Sequence, residues 1–236
     1  MSIDLEWIAT YPTNSDDWIK TVLIGGLLTL ASVLVVPAFP LYGYLLRVLR
    51  GGMTEAAEPP VFDDWGTLFR EGIVAFAIVI VYQLIPLLVM AVTVGGSLAA
   101  IATGSDAATT AGVAGLLGGV ALSGLLALAF GYVTLIGVAN YAHTGRAGAA
   151  FDLDVIRAVA VDGAYAVPWL YGVVALIAAN VVAGVLNVVP ILGAIVGVFV
   201  FFYAQMIAAW LWGKGFGDAT GAGGERPSES GAEAAV

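Results

Sequence analysis

Three long apolar regions dominate this chain, Thr21 to Leu46, Gly72 to Tyr141 and Gly163 to Gly213. Hydrocarbon offers backbone N–H and C=O groups no partner, so an open-ended segment crossing about 30 Å of it must be helical and needs about 20 residues. The expected fold is therefore all-α, a polytopic transmembrane helix bundle. Composition agrees. Of the 236 residues 61% are hydrophobic and 11% charged, against about 45 to 50% and 25% in soluble domains, which leaves too little polar surface to cover a soluble fold.

Each region carries an internal break. Pro37 and Pro40 interrupt the first, Gly104, Ser105 and Asp106 the second, and Asn187 to Pro190 the third, where Pro190 suits the first turn of a new helix. The expected organisation is an N-terminal cytoplasmic segment 1–17, a membrane domain 18–214 and a disordered acidic tail 215–236. The membrane segments are 20–36, 38–50, 71–101, 110–141, 163–187 and 190–213. The tail is mostly Gly, Ala, Ser and Glu with one Pro, a composition that buries too little to order itself. The 26 residues of the first region would also make one tilted helix, so the bundle has five to six membrane segments. Interfacial amphipathic pieces are expected between them.

The basic residues set the orientation. All eight flank the regions: Lys20; Arg47, Arg50 and Arg70; Arg146 and Arg157; Lys214 and Arg226. Lys and Arg concentrate on the cytoplasmic side of membrane ends, so three hairpins would place every basic residue and both termini inside the cell. Asp4 and Glu6 stand where a secretory signal carries basic residues, and no cleaved signal is expected.

Several functions are disfavoured. Cysteine is absent and His143 stands alone, which removes thiolate chemistry and His-based metal centres. Net charge is -9, against the basic patch that nucleic-acid recognition requires. The acidic, lysine-poor, Ala/Gly/Val-rich composition is that of a halophilic archaeal proteome. No charged residue lies near the middle of a segment, which argues against proton-coupled transport. Gln83, Asn180 and Gln205, with Asn140 and Asn187 near ends, read as interhelical hydrogen-bonding groups, and Pro86 and Pro168 as kinks. No catalytic residue, cofactor or metal site is expected.

A weak internal repeat supports the hairpins. Acidic, aromatic approaches precede the regions at Ser15-Asp16-Asp17-Trp18, Phe62-Asp63-Asp64-Trp65 and Phe151-Asp152-Leu153-Asp154. Gly25, Gly72 and Gly163 follow, and Gly43-Tyr44, Gly131-Tyr132 and Phe202-Tyr203 precede the exits. The clearest packing signal is Ala111, Gly115, Gly119, Ser123, Ala127 and Gly131, small residues at every fourth position, with Gly193 and Gly197 as a shorter instance. Four residues turn a helix 40° past one revolution, so the row winds through roughly 200° and meets more than one neighbour. Ordinary helix packing competes here with a pore-lining or homo-oligomer face.

The most distinctive segment is Glu58 to Phe69, EPPVFDDWGTLF. Pro59 and Pro60 enforce an extended approach, Asp63 or Asp64 caps the next helix, and Trp65 belongs at the headgroup level. Read as chemistry, Asp63 and Asp64 with Asp152 and Asp154 form a carboxylate cluster able to bind a divalent cation, although nothing supplies a nucleophile. This segment, with IGGLLTLASVLVVP and LYGYLLRVLRGG between Ile24 and Gly52, resembles the uncharacterised archaeal multi-pass membrane family filed as domain of unknown function four-thousand-thirteen. The resemblance runs from about Asp17 to Lys214 and implies a multi-pass membrane protein without an assigned activity. Pro59, Pro60, Phe62, Asp63, Asp64, Trp65, Gly66, Phe69 and Gly72 carry over as a family signature alone.

Three functional classes follow. The first is a non-enzymatic structural, scaffold or assembly component, with the lipid bilayer and a second copy or other membrane proteins as partners. The second is a transporter or channel-like permease built on the repeat and the Pro-broken helices, and the third a lipid-active enzyme using interfacial carboxylates.

Overall fold

The computed structural model describes residues 4–223. Eight α-helices follow one another: α1 Leu5–Thr10, α2 Trp18–Ala31, α3 Ala38–Met53, α4 Trp65–Ala102, α5 Asp106–Thr144, α6 Leu153–Ala160, α7 Gly163–Leu186 and α8 Pro190–Thr220. Short 3₁₀ turns occupy Tyr11–Thr13, Ser32–Leu34 and Ala147–Phe151, and no strand occurs among the described residues. The fold is all-α, as composition and region lengths require.

By length and composition four helices among the described residues can cross a membrane: α4, α5, α7 and α8. A fifth span results if Glu6–Thr13 and Trp18–Leu34, which meet at 85°, count as one. Six is therefore not reached. The first region does form two arms, but α2 has 14 residues and α3 has 16, about 21 and 24 Å of helix, short of about 30 Å of hydrocarbon. Pro37 is the cause: its ring and missing N–H cannot continue α2, and it becomes the N-cap of α3. Pro190 opens α8 as its spacing predicts.

The chain divides into two compact units, Met1–Phe76 with Ile136–Val236, and Ala77–Leu135. The second unit is the hairpin made by the facing stretches of α4 and α5, joined through Gly104 at φ 74°. Its helices lie so close that a Cβ at Gly112, Gly115 or Gly119 would fall within 3.0 Å of Ser97, Ile101 or Thr93. The Thr93 and Ser97 hydroxyls each donate to a carbonyl one turn earlier at 2.7 Å, which removes their polar cost in an apolar setting.

The first unit is built on α8. An antiparallel hairpin joins it to α7: Gly193 meets the Leu186 carbonyl, Gly197 meets Ala183, and Gly172 makes room for the Trp212 indole, which donates to the Trp169 carbonyl at 3.3 Å. The short arms cover another side. Gly25 and Gly26 of α2 receive the rings of Phe202 and Phe199, and α3 meets α8 backbone to backbone at Gly52 and Gly213. In lipid the hydrophobic effect does not draw helices together, so such close small-residue seams supply the packing energy.

One boundary is corrected and one segment gains structure. Segment 1–17 holds α1, which is capped by Asp4, whose carboxylate accepts from the amides of Glu6 and Trp7 at 3.1 Å. It docks on α8 through Trp7 against Trp210, ring centres 4.9 Å apart. The acidic tail begins later than 215, because α8 continues to Thr220 and ends on left-handed Gly221. Phe216 is buried and Gly217 packs on Met53, contacts that a composition-based reading cannot register. The remainder of the expected tail lies outside the described residues.

Candidate functional site

Charge and polarity gather at one end of the first unit, where α3 and α5 finish, α4 begins and the last turns of α8 run. The loop between α3 and α4 lies across this end. Tyr44 donates its hydroxyl to the Pro60 carbonyl at 3.1 Å, the Trp210 indole donates to Ala56 at 3.0 Å, and Asn14 donates to Ala57 at 3.2 Å. These bonds satisfy loop carbonyls that the extended Pro59-Pro60 approach strips of helical partners.

Phe62 is the loop's anchor. Its ring stacks on Tyr44 with centroids 4.0 Å apart and planes 11° apart, and on Trp65 at 5.7 Å. Asp63 pairs with Arg47 of α3. Asp64, at φ 42°, opens α4 and accepts from the Thr67 amide at 3.4 Å. Hydrogen bonds from the Thr67 hydroxyl and amide, and then the charges of Arg47 and Arg70, hold the Asp64 carboxyl below the usual range. Phe69 meets Phe39 edge-on at 5.4 Å. Gly72 faces the Phe39 carbonyl, and Gly43 of α3 faces that of Leu68, so α3 and α4 cross with backbones in contact. Gly66 meets nothing closer than Asp64 Oδ1 at 3.9 Å.

The signature is thus a clasp that fixes the start of α4 onto α3. Further ties surround it. Arg50 pairs with Glu71 at 2.7 Å and donates from Nε to the Ala142 carbonyl at 2.9 Å, linking α3, α4 and α5. Lys214 pairs with Glu55 and, at 3.3 Å, with Asp218. The Asn140 amide donates to Ala149 at 2.8 Å and holds the 3₁₀ turn before α6. Glu55, Glu71 and Lys214 carried no local signal in the sequence, because each acquires its partner only through helix packing.

The four carboxylates that could have shared a cation have separate uses. Asp63 is paired, Asp64 opens α4, Asp152 caps α6 by accepting from Asp154 and Val155 at 3.1 and 3.3 Å, and Asp154 lies in that helix's first turn. Among the described residues no three His, Asp or Glu side chains are placed to hold a metal ion. The third approach leads into the short helix α6, which buries Ile156 and Val159 and leaves Leu153 exposed, as is Val161 just past its end. The membrane helix α7 takes its cap from Asp162 instead.

Members of the small-residue row have unlike surroundings. Gly115 and Gly119 face α4, and Ser123 is buried. Ala111 is exposed, Ala127 half-buried, and Gly131 open on its Cβ side. Gly193 and Gly197 both lie in the α7–α8 seam. Asn180 donates to Leu176 within its own helix at 2.9 Å, while Oε1 of Gln83 and of Gln205 is buried without a hydrogen bond.

The family model described as "Protein of unknown function (DUF4013)" matches residues 26–188, more than half of the chain. The chain belongs to this family. The match takes in the whole clasp and helices α3 to α7, a shorter stretch than the Asp17 to Lys214 expected. It stops before α8, the helix on which α2, α3 and α7 pack. No curated protein and no solved structure matches the chain.

Proposed function

We propose that this family member is a non-enzymatic, multi-pass component of the cell membrane that serves as a structural, scaffold or assembly element. One observation carries the reading: three basic side chains around the clasp are spent on carboxylates of this chain, Arg47 on Asp63, Arg50 on Glu71 and Lys214 on Glu55 and Asp218. A catalytic or transport centre keeps polar groups free for a substrate, whereas these join helices. The bilayer is its first partner, and a second copy or other membrane proteins are the further ones. The basic residues at the clasp end favour a cytoplasmic location for it and for both termini, and the acidic, lysine-poor composition favours a halophilic archaeal host.

Crosslinking in native membranes, followed by native mass spectrometry from nanodiscs, tests the proposal. A defined oligomer or a stoichiometric complex is expected. A monomer that passes potassium, chloride or small neutral solutes across liposomes overturns it. The permease reading is favoured by the unpartnered Oε1 of Gln205, and it requires Gln205→Leu to abolish such flux. The carboxylate-based enzyme reading requires Mg2+ or Mn2+ to bind the purified protein.

A further inference from the structure

The hairpin of α2 and α3 ends in a tip, Ser32 to Pro37, that combines three properties. Its side chains are apolar and uncovered: Val33 is 85% exposed and Leu34 71%. The backbone donors of Ser32, Val35 and Val36 are nonetheless bonded internally, as are those of Ala38 and Phe39 that follow. The Ser32 amide bonds Thr29, Val35 bonds Ser32 at 2.9 Å, Val36 bonds Leu34 at 2.7 Å, Ala38 bonds Val35 at 3.0 Å and Phe39 bonds Val36 at 3.2 Å, while Pro37 has no N–H. The Ser32 hydroxyl also turns inward, to the Leu28 carbonyl at 2.7 Å. The third property is strain. Val35 sits at φ 65° and ψ -50°, the centre of a γ-turn that a β-branched residue rarely adopts.

A turn in water has no need of this arrangement, because water would satisfy its amides and a Gly or Asn would relieve the bend. In hydrocarbon an unsatisfied amide costs several kcal/mol, enough to outweigh about 1 to 3 kcal/mol of backbone strain. The arms set the depth. No charge lies between Lys20 and Arg47, and the tip is about 20 Å of chain from either one, short of the roughly 30 Å of a full crossing.

We propose that the α2–α3 hairpin is a re-entrant wedge whose tip is covered by lipid acyl chains and does not emerge on the far side of the membrane. The first region then enters and leaves by the clasp face, so α1 and the α3–α4 loop share one side of the bilayer and the spans are the four helices α4, α5, α7 and α8.

The chain lacks cysteine, so single replacements report directly. Val33→Cys and Val36→Cys in the full chain are compared with Ala57→Cys in the clasp loop and Val188→Cys in the α7–α8 turn, using a membrane-impermeant maleimide on sealed vesicles of both orientations. A thiol held in apolar surroundings keeps its proton and reacts slowly. Both tip variants are expected to label at least about tenfold more slowly than either control from either side, and to label as fast as the controls once the chain is unfolded in denaturant. Labelling of the tip from the far side at the Val188→Cys rate shows a completed crossing and overturns the proposal, and labelling from the clasp side at the Ala57→Cys rate overturns it equally. The wild-type elution volume and thermal midpoint of both exposed-site variants confirm the fold.

Discussion

Replacing Gly72 by Ala adds one methyl group at the tightest crossing in the clasp. Its Cβ would overlap the Phe39 carbonyl oxygen, far inside the 3.4 Å at which ordinary contact begins, and the obstacle is backbone that no rotamer change can move. Helices α3 and α4 must separate by on the order of 1.5 Å in an interior packed to crystal density. Phe39 holds two edge-on partners across this seam, Phe69 and Phe76, each at 5.4 Å. Edge-to-face pairs contribute about 0.5 to 1.5 kcal/mol apiece, and overpacking costs about 1 to 3 kcal/mol. Ala returns about 0.5 to 1 kcal/mol through better helix propensity, so the net loss is about 2 kcal/mol. For a chain of this length that lowers the midpoint by about 4 to 8 °C, read by tryptophan fluorescence on protein in mild detergent. Gly131→Ala is the matched control: its Cβ meets nothing within 4 Å, and only the propensity gain remains. A Gly72→Ala midpoint at or above that of wild type refutes the crossing as a source of stability.

Three further outcomes are expected. Arg50→Leu strands the Glu71 carboxylate, whose side chain is 16% exposed, and costs about 2 kcal/mol, whereas Arg50→Leu with Glu71→Leu regains more than half; denaturant titration in mixed micelles measures both, and additive losses would deny the coupling. Asp64 has its carboxyl lowered in the folded state, so its contribution is complete above about pH 4 and fades as pH falls through the depressed value. Asp64→Asn should flatten the acid limb of the stability profile and leave its neutral shape unchanged, and an unaltered acid limb would remove Asp64 from the account. Val35→Gly relieves the γ-turn and should raise stability by about 1 kcal/mol, detected as a higher midpoint; a lower one would show that the turn is unstrained.

The residues of the clasp were legible one at a time. Pro59-Pro60 announced an extended approach, an acidic residue announced the start of α4, and Trp65 announced an interface. Their joint purpose was not, because Phe62 reads as an anchor only once Tyr44 and Trp65 lie on its two sides. The row from Ala111 to Gly131 was equally visible, yet spacing cannot tell Gly119 against Thr93 from Gly131 in the open. The seams at Gly52 with Gly213 and Gly43 with Gly72 join residues distant in the chain, which no local pattern can pair.

Local chemistry by itself determined that the chain is helical, that its long apolar regions belong in a bilayer, and that helices break at Pro37 and begin at Pro190. Each of these depends on neighbouring residues or on the surrounding solvent alone. Only the tertiary structure decided that α8 runs on past Gly215, and that Arg47, Arg50 and Lys214 pair with carboxylates at the clasp end. Those outcomes rest on contacts between residues far apart in sequence, Phe216 buried in the core, Lys214 on Glu55 and Arg50 on Glu71, whose energies exist only after the helices have met.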